Sequence, residues 1–128
     1  MERYIPLVAR FFLSVIFLRS GIFKILDFSG TQAYMASKGI PETLTATLLV
    51  LTIGVELVGG CSVLLGYRAR WGALALCLFL IPATLIFHTN FAENAQTIQF
   101  FKNVAIFGGL LMVYANGSGA LSIDQTVR

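Results

Sequence analysis

At 128 residues the chain is one domain at most, and with 57% apolar residues, 12% charged residues and a mean hydropathy of +0.83 it has too few charges to solvate a globule of that size. Soluble domains carry about 25% charged residues, so much of this surface must face lipid rather than water. The net charge of +3 comes from scattered Lys and Arg, and without a basic patch interleaved with aromatics nucleic acid is excluded as a partner.

The sequence predicts a first apolar helix from about Ile5 to Leu26, with Pro6 where a helix start tolerates it. Its apolar run is too long for a signal peptide, and Arg10 and Arg19 interrupt it, so a retained helix is expected. The stretch Asp27–Thr43 is mixed and closes with Gly39-Ile40-Pro41, which points to a short helix lying at the interface. A second span is expected from about Leu44 to Leu65, and Gly66-Tyr67-Arg68-Ala69-Arg70 then reads as a tight turn into a third, Trp71 to about Phe87. A polar loop over His88–Thr97 precedes a fourth span from about Ile98 to Tyr114, stopped by Asn116-Gly117-Ser118-Gly119. The fold class is therefore all-α: residues 1–128 form a single four-transmembrane-helix bundle with a short interfacial helix between helices one and two. Membrane lipids are its first partner.

Arg3, Arg68, Arg70 and Arg128 lie on the face with the termini, against Lys24, Lys38 and Lys102 on the other. The positive-inside rule then favours cytoplasmic termini, by a margin of one residue.

A charge at mid-bilayer costs at least about 2.5–3.5 kcal/mol and calls for a partner or a purpose. Glu56 is the sharpest case, on a stripe with Thr45, Thr52 and Gly60 that should face the bundle interior. Pairing across the turn places it level with Pro82, whose ring frees the Leu78 carbonyl, a candidate proton, cation or water site. The same pairing sets Cys61 opposite Cys77, conceivable as a disulfide but more simply two small apolar residues. Arg10, Ser14, Phe17, Gly21 and Lys24 share a stripe of the first helix, with Arg19 pointing away. Arg10 and Lys24 can snorkel to opposite interfaces, or Arg10 can pair with Glu56 across roughly 8 Å of depth. At the end away from the tight turn, His88, Gln99, Lys102, Asn103 and Lys24 converge. His88 suits a proton acceptor or a quinone hydrogen-bond partner there, or these groups simply solvate helix ends. No metal-ligand spacing, CxxC motif, second haem ligand or dinucleotide-binding motif is present. The glycine pairs Gly59-Gly60 and Gly108-Gly109 suit close helix packing.

Taken in order, Phe17, Gly21, Lys24, Asp27-Phe28, Gly30-Thr31, Tyr34-Met35, Gly39-Ile40-Pro41, Glu56 and Gly59-Gly60 resemble the pattern of the DoxX family of bacterial membrane proteins. The likeness runs on through Gly66, Arg70, Phe87-His88, Phe101-Lys102-Asn103 and Gly108-Gly109, nearly the whole chain. The resemblance implies a multi-pass protein of the bacterial cytoplasmic membrane. It also implies an association with quinol oxidases, thiosulfate:quinone oxidoreductase-like subunits or membrane complexes against oxidative and thiol stress. Three functions stay open. The first is a small subunit or accessory protein of a quinone-linked redox system, with a larger redox subunit as partner. The second is a proton or small-solute transporter centred on Glu56, as a homo-oligomer. The third is a structural or assembly protein whose buried polar groups only hold the bundle. An independent enzyme is not expected.

Overall fold

The computed structural model describes residues 3–126, so Arg128, counted above for orientation, lies outside the described residues. The elements are α1 (Tyr4–Leu26), α2 (Phe28–Ser37), α3 (Glu42–Leu65), α4 (Ala69–Phe87), α5 (Asn94–Asn116) and α6 (Ile123–Thr126). Four of them, α1, α3, α4 and α5, are long and apolar enough to cross a membrane, and no strand occurs among the described residues. The expected all-α bundle and its short connecting helix are both present.

Local chemistry sets the boundaries. Pro6 sits in the first turn of α1, where its missing N–H costs nothing. Pro41 precedes α3, and Glu42 puts a negative charge at that helix's positive end. α3 stops at Gly66, whose φ of 69° places it in the left-handed region. The Tyr67 N–H then returns to the Ser62 carbonyl (3.1 Å), so orphan carbonyls at the helix end find donors. α5 begins at Asn94, about a turn earlier than the hydropathy alone indicates, and shortens the preceding loop to residues 88–93. The polar Asn94, Gln96 and Thr97 hide that turn from a hydropathy reading. α6 gives no signal in the sequence, because it follows a glycine-rich stop and is four residues long.

Sequential spans pack as neighbours: α1 on α3, α3 on α4, α4 on α5, with a lighter α5–α1 contact closing the bundle. The apolar core is Phe17, Val63, Leu76, Leu110 and Val113 with small Ala69 and Ala73 between. Outward-facing Phe12, Val58, Leu78 and Met112 are exposed on all sides, as lipid-facing side chains would be.

α2 packs beside the first turns of α3, with Gln32 Nε2 donating to Thr45 Oγ1 (3.2 Å). α1 therefore meets only the later part of α3. This offset decides which charges meet, and it is absent from any reading that aligns helices by their own ends.

Candidate functional site

Two polar clusters occupy opposite ends of the bundle, both seeded by the buried stripe of α1. That stripe is Arg10, Ser14, Phe17 and Gly21, the face expected from sequence, with Arg19 exposed on the other side.

At the end near the α3–α4 turn, Arg10 is buried (2% exposed). Its Nη1 donates to the carbonyls of Val63 (3.2 Å) and Leu64 (2.9 Å), and its Nη2 to the Leu121 carbonyl. A guanidinium at the C-terminus of α3 meets last-turn carbonyls, of which that of Val63 also accepts the Gly66 N–H (3.3 Å), and the negative end of the helix dipole. The C-terminal segment locks this arrangement. Asp124 accepts the backbone N–H groups of Arg68 (2.6 Å) and Ala69 (3.2 Å), so it caps α4 from a distant part of the chain. The Asp124 N–H donates to the Gly66 carbonyl (2.8 Å), and the Ser118 hydroxyl donates to the Asp124 carboxylate (2.6 Å).

The other cluster surrounds a cavity of about 220 Å3. Lys24 Nζ donates to Glu56 Oε1 (2.6 Å) and to Ser20 Oγ (2.7 Å). Gly21 permits this approach of α1 to α3, since a Cβ there would lie 2.7 Å from Leu57 Cδ2. The pair is asymmetric: the Glu56 side chain is 4% exposed and that of Lys24 is 21%. Across the cavity, Asn103 Nδ2 donates to Thr84 Oγ1 (2.9 Å), and Gln99 Nε2 donates to Asn103 Oδ1 (2.9 Å). His88 Nδ1 lies 2.9 Å from Gln96 Oε1. An amide oxygen only accepts, so Nδ1 is the donor in this pair. Phe17, Leu49, Phe79, Leu80 and Ile106 supply apolar walls. α2 roofs the cavity with Thr31, Tyr34 and Met35, and the Tyr34 ring stacks on Phe87 (centroids 5.5 Å apart).

Four expected site residues, Lys24, Glu56, His88 and Asn103, are thus brought together around one cavity. Two are not. Arg10 is committed to the opposite end, so the Arg10–Glu56 pairing gives way to Lys24–Glu56. The reason is the offset above: α2 covers the start of α3, which puts Lys24, not Arg10, beside Glu56, and Lys24 turns inward rather than snorkelling. Lys102 is exposed on the outer side of α5, away from His88. The turn register also differs from expectation. A Cβ on Gly59 would meet Leu76, and one on Gly72 would meet Ser62, a shift of about one helical turn from the pairing expected across the hairpin. That shift takes Pro82 off the level of Glu56, and Pro82 and Leu78 both lie on the exposed face of α4 and do not line the cavity. Cys61 is exposed, Cys77 is buried and both are free thiols. Sequence reasoning misses the parts played by Ser20, Tyr34, Thr84 and Asp124. Thr84 carries the one readable signal, a lone hydroxyl one turn before His88 on the same helix.

The model of the DoxX family matches residues 5–89, and that of the SURF4 family matches residues 61–128. Inner membrane protein YqjF of Escherichia coli is 39% identical over 122 residues, covering 95% of this chain and 91% of that protein. Inner membrane protein YphA of Escherichia coli is 32% identical over 124 residues, covering 93% and 87% respectively. ER-derived vesicles protein ERV29 of Saccharomyces cerevisiae is 28% identical over 79 residues, 58% of this chain but 26% of that protein. No solved structure matches.

Proposed function

The chain belongs to the DoxX family of integral membrane proteins, and on that basis we propose that it is a small accessory subunit of the bacterial inner membrane that holds a quinone or quinol headgroup for a larger redox partner. The observation that carries this reading is the cavity between the Lys24–Glu56 pair and the His88–Asn103 side. Its volume of about 220 Å3 falls below the roughly 300–1,000 Å3 of sites for drug-sized ligands, which suits a single substituted ring. Its walls are apolar, while hydrogen-bonding groups stand on opposite sides, from α1 and α3 on one and from α4 and α5 on the other. An ammonium has three N–H groups. Those of Lys24 have two acceptors among the described residues, Ser20 and Glu56, which leaves one for a ring oxygen. His88 lines the far side of the cavity and supplies a ring nitrogen for the other ring oxygen. A ring with an oxygen at each end meets both demands. Electron transfer would then involve the partner, while these side chains orient the ring and accept or donate its protons.

The transporter reading has less support. Between Glu56 and the opposite face lie Phe17, Val63, Leu76 and Leu110, a buried apolar plug. A path for protons or solutes through one chain would have to open that core. The proposal takes the termini as cytoplasmic, the orientation that the positive-inside count favours by one residue.

The test is to titrate a short-tailed ubiquinone into the full chain in nanodiscs and count adducts by native mass spectrometry. One adduct per chain is expected, weakened about five- to thirtyfold by Lys24→Met or His88→Ala, for a lost hydrogen bond of about 1–2 kcal/mol. Lys102→Ala should leave it unchanged. Absence of a stoichiometric adduct, or equal weakening by Lys102→Ala, overturns the proposal.

A further inference from the structure

A second concavity lies on the outer face of α3 and α4, separate from the cavity and independent of its ligand. It runs from Gly54, where a Cβ would meet nothing within 4 Å, past Val58 and Cys61 to Tyr67, Arg68 and Trp71 at the turn. The walls are almost wholly apolar or small along the span. From Gly54 to Leu65 the helix rises roughly 16 Å at 1.5 Å per residue. That is about half of the roughly 30 Å hydrocarbon core, the depth of one leaflet.

The end at the turn is chemically different. Tyr67 and Trp71 are exposed there, residues that favour the headgroup level. Arg68 stands over the Tyr67 ring (5.8 Å) and lines the groove mouth. Its backbone N–H is held by Asp124 (2.6 Å), which fixes the chain here in the left-handed region (φ 49°). Arg70, two residues on, goes elsewhere: its guanidinium packs against Gly117.

We infer that this groove is a binding site for one anionic phospholipid, with an acyl chain along Gly54, Val58 and Cys61 and the phosphate on Arg68. The leaflet-deep apolar channel and the single cation at its interfacial end match the two halves of such a lipid. A zwitterionic lipid fills the channel equally well but gains less from Arg68, because its own ammonium competes for the phosphate.

The chain has one tryptophan, Trp71, and it lies in the groove. The full chain is reconstituted in phosphatidylcholine bilayers, and Trp71 fluorescence is quenched with rising fractions of chain-brominated phosphatidylglycerol or chain-brominated phosphatidylcholine. The phosphatidylglycerol is expected to quench with a relative binding constant about fivefold higher, the factor one cation near an anionic headgroup supplies. Arg68→Gln should abolish the preference and Arg70→Gln should preserve it. Equal constants in the wild type overturn the inference, as does equal loss in both variants, which would mark a diffuse surface charge. A Trp71 that neither lipid quenches also overturns it, since protein, such as a second copy, would then cover the groove.

Discussion

Two cations on one face of α1 end in opposite circumstances. Arg10 is fully enclosed, with Val63, Leu64 and Leu121 carbonyls as acceptors and the Asp124–Ser118–Gly66 bonds closing the turn around it. Lys24 is part-exposed to a cavity, with one short ion pair and one hydroxyl. The first cluster draws the acceptors of both Arg10 terminal nitrogens from backbone, which no ligand can displace without unfolding a helix end, and leaves the buried Arg10 Nε without a hydrogen-bond partner among the described residues. The second is built from side chains around space, and its remaining capacity points at that space. Buried charge in a membrane bundle is thus no sign of function by itself. What distinguishes the ends is whether the partners are carbonyls of the fold or groups lining a void.

The largest effect should come from breaking the closed end. Arg10→Met removes the donor to three carbonyls and is expected to cost about 3–5 kcal/mol, within the range for stripping one partner from a buried charged network. Thermal unfolding in mild detergent should show an apparent Tm lower by about ten degrees or more. Ligand-binding stoichiometry at the cavity should persist in whatever fraction stays folded. A stable Arg10→Met protein would erase the distinction between the two ends.

The cavity end makes a subtler prediction, because its pair is unevenly buried. Lys24→Met leaves the 4%-exposed Glu56 carboxylate without its cation and should destabilise by about 3 kcal/mol. Glu56→Gln leaves the lysine, which is 21% exposed and still bonded to Ser20, at a cost of about 1–2 kcal/mol. Unfolding of the two variants under the same conditions gives the ranking directly. The reverse order would mean that Lys24, not Glu56, is the more deeply desolvated partner.

The amino-acid sequence by itself makes one side of this contrast legible. The stripe of Arg10, Ser14, Phe17 and Gly21 follows from helical spacing, because spacing alone fixes which residues share a face. The composition likewise demands lipid-facing spans, and all four are present. The partners of those residues are not legible. Whether Glu56 meets Arg10 or Lys24 depends on the relative depth of two helices, which is set by α2 filling the space beside the start of α3. In the same way, the level of Pro82 against α3 depends on where α4 begins. It begins at Ala69, not Trp71, because Asp124 caps it from the far end of the chain. Periodicity carries no information on such long-range offsets. The convergence of Glu56, Lys24, His88 and Asn103 is visible as chemistry, but the exclusion of Lys102 requires the rotation of α5.

The smallest effects separate the ends through one glycine each. Gly66 has φ 69°, and a Cβ there would collide first with Ser122 Cβ and then stand 2.8 Å from Arg10 Nη1, with Ser118 close by. Gly66→Ala therefore meets both left-handed strain and a neighbour that cannot retreat, since Arg10 is held by carbonyls. About 1–2 kcal/mol of destabilisation is expected from the backbone alone. At Gly21 the φ is helical and the obstacle is the far end of the Leu57 side chain, 2.7 Å away. Leu57 is only part-buried and can rotate, and alanine is the better helix former by about 1 kcal/mol. Gly21→Ala should therefore change stability by less than about 1 kcal/mol in either direction. Its effect should register instead at the cavity, where the displaced Leu57 and a new Cβ 3.5 Å from Glu56 Cβ disturb the 2.6 Å Lys24–Glu56 contact and weaken quinone binding. Unfolding and adduct counting on the same two variants test this. A Gly21→Ala protein that loses stability but keeps its ligand, like one that loses neither, would move the pair from the ligand site into the framework.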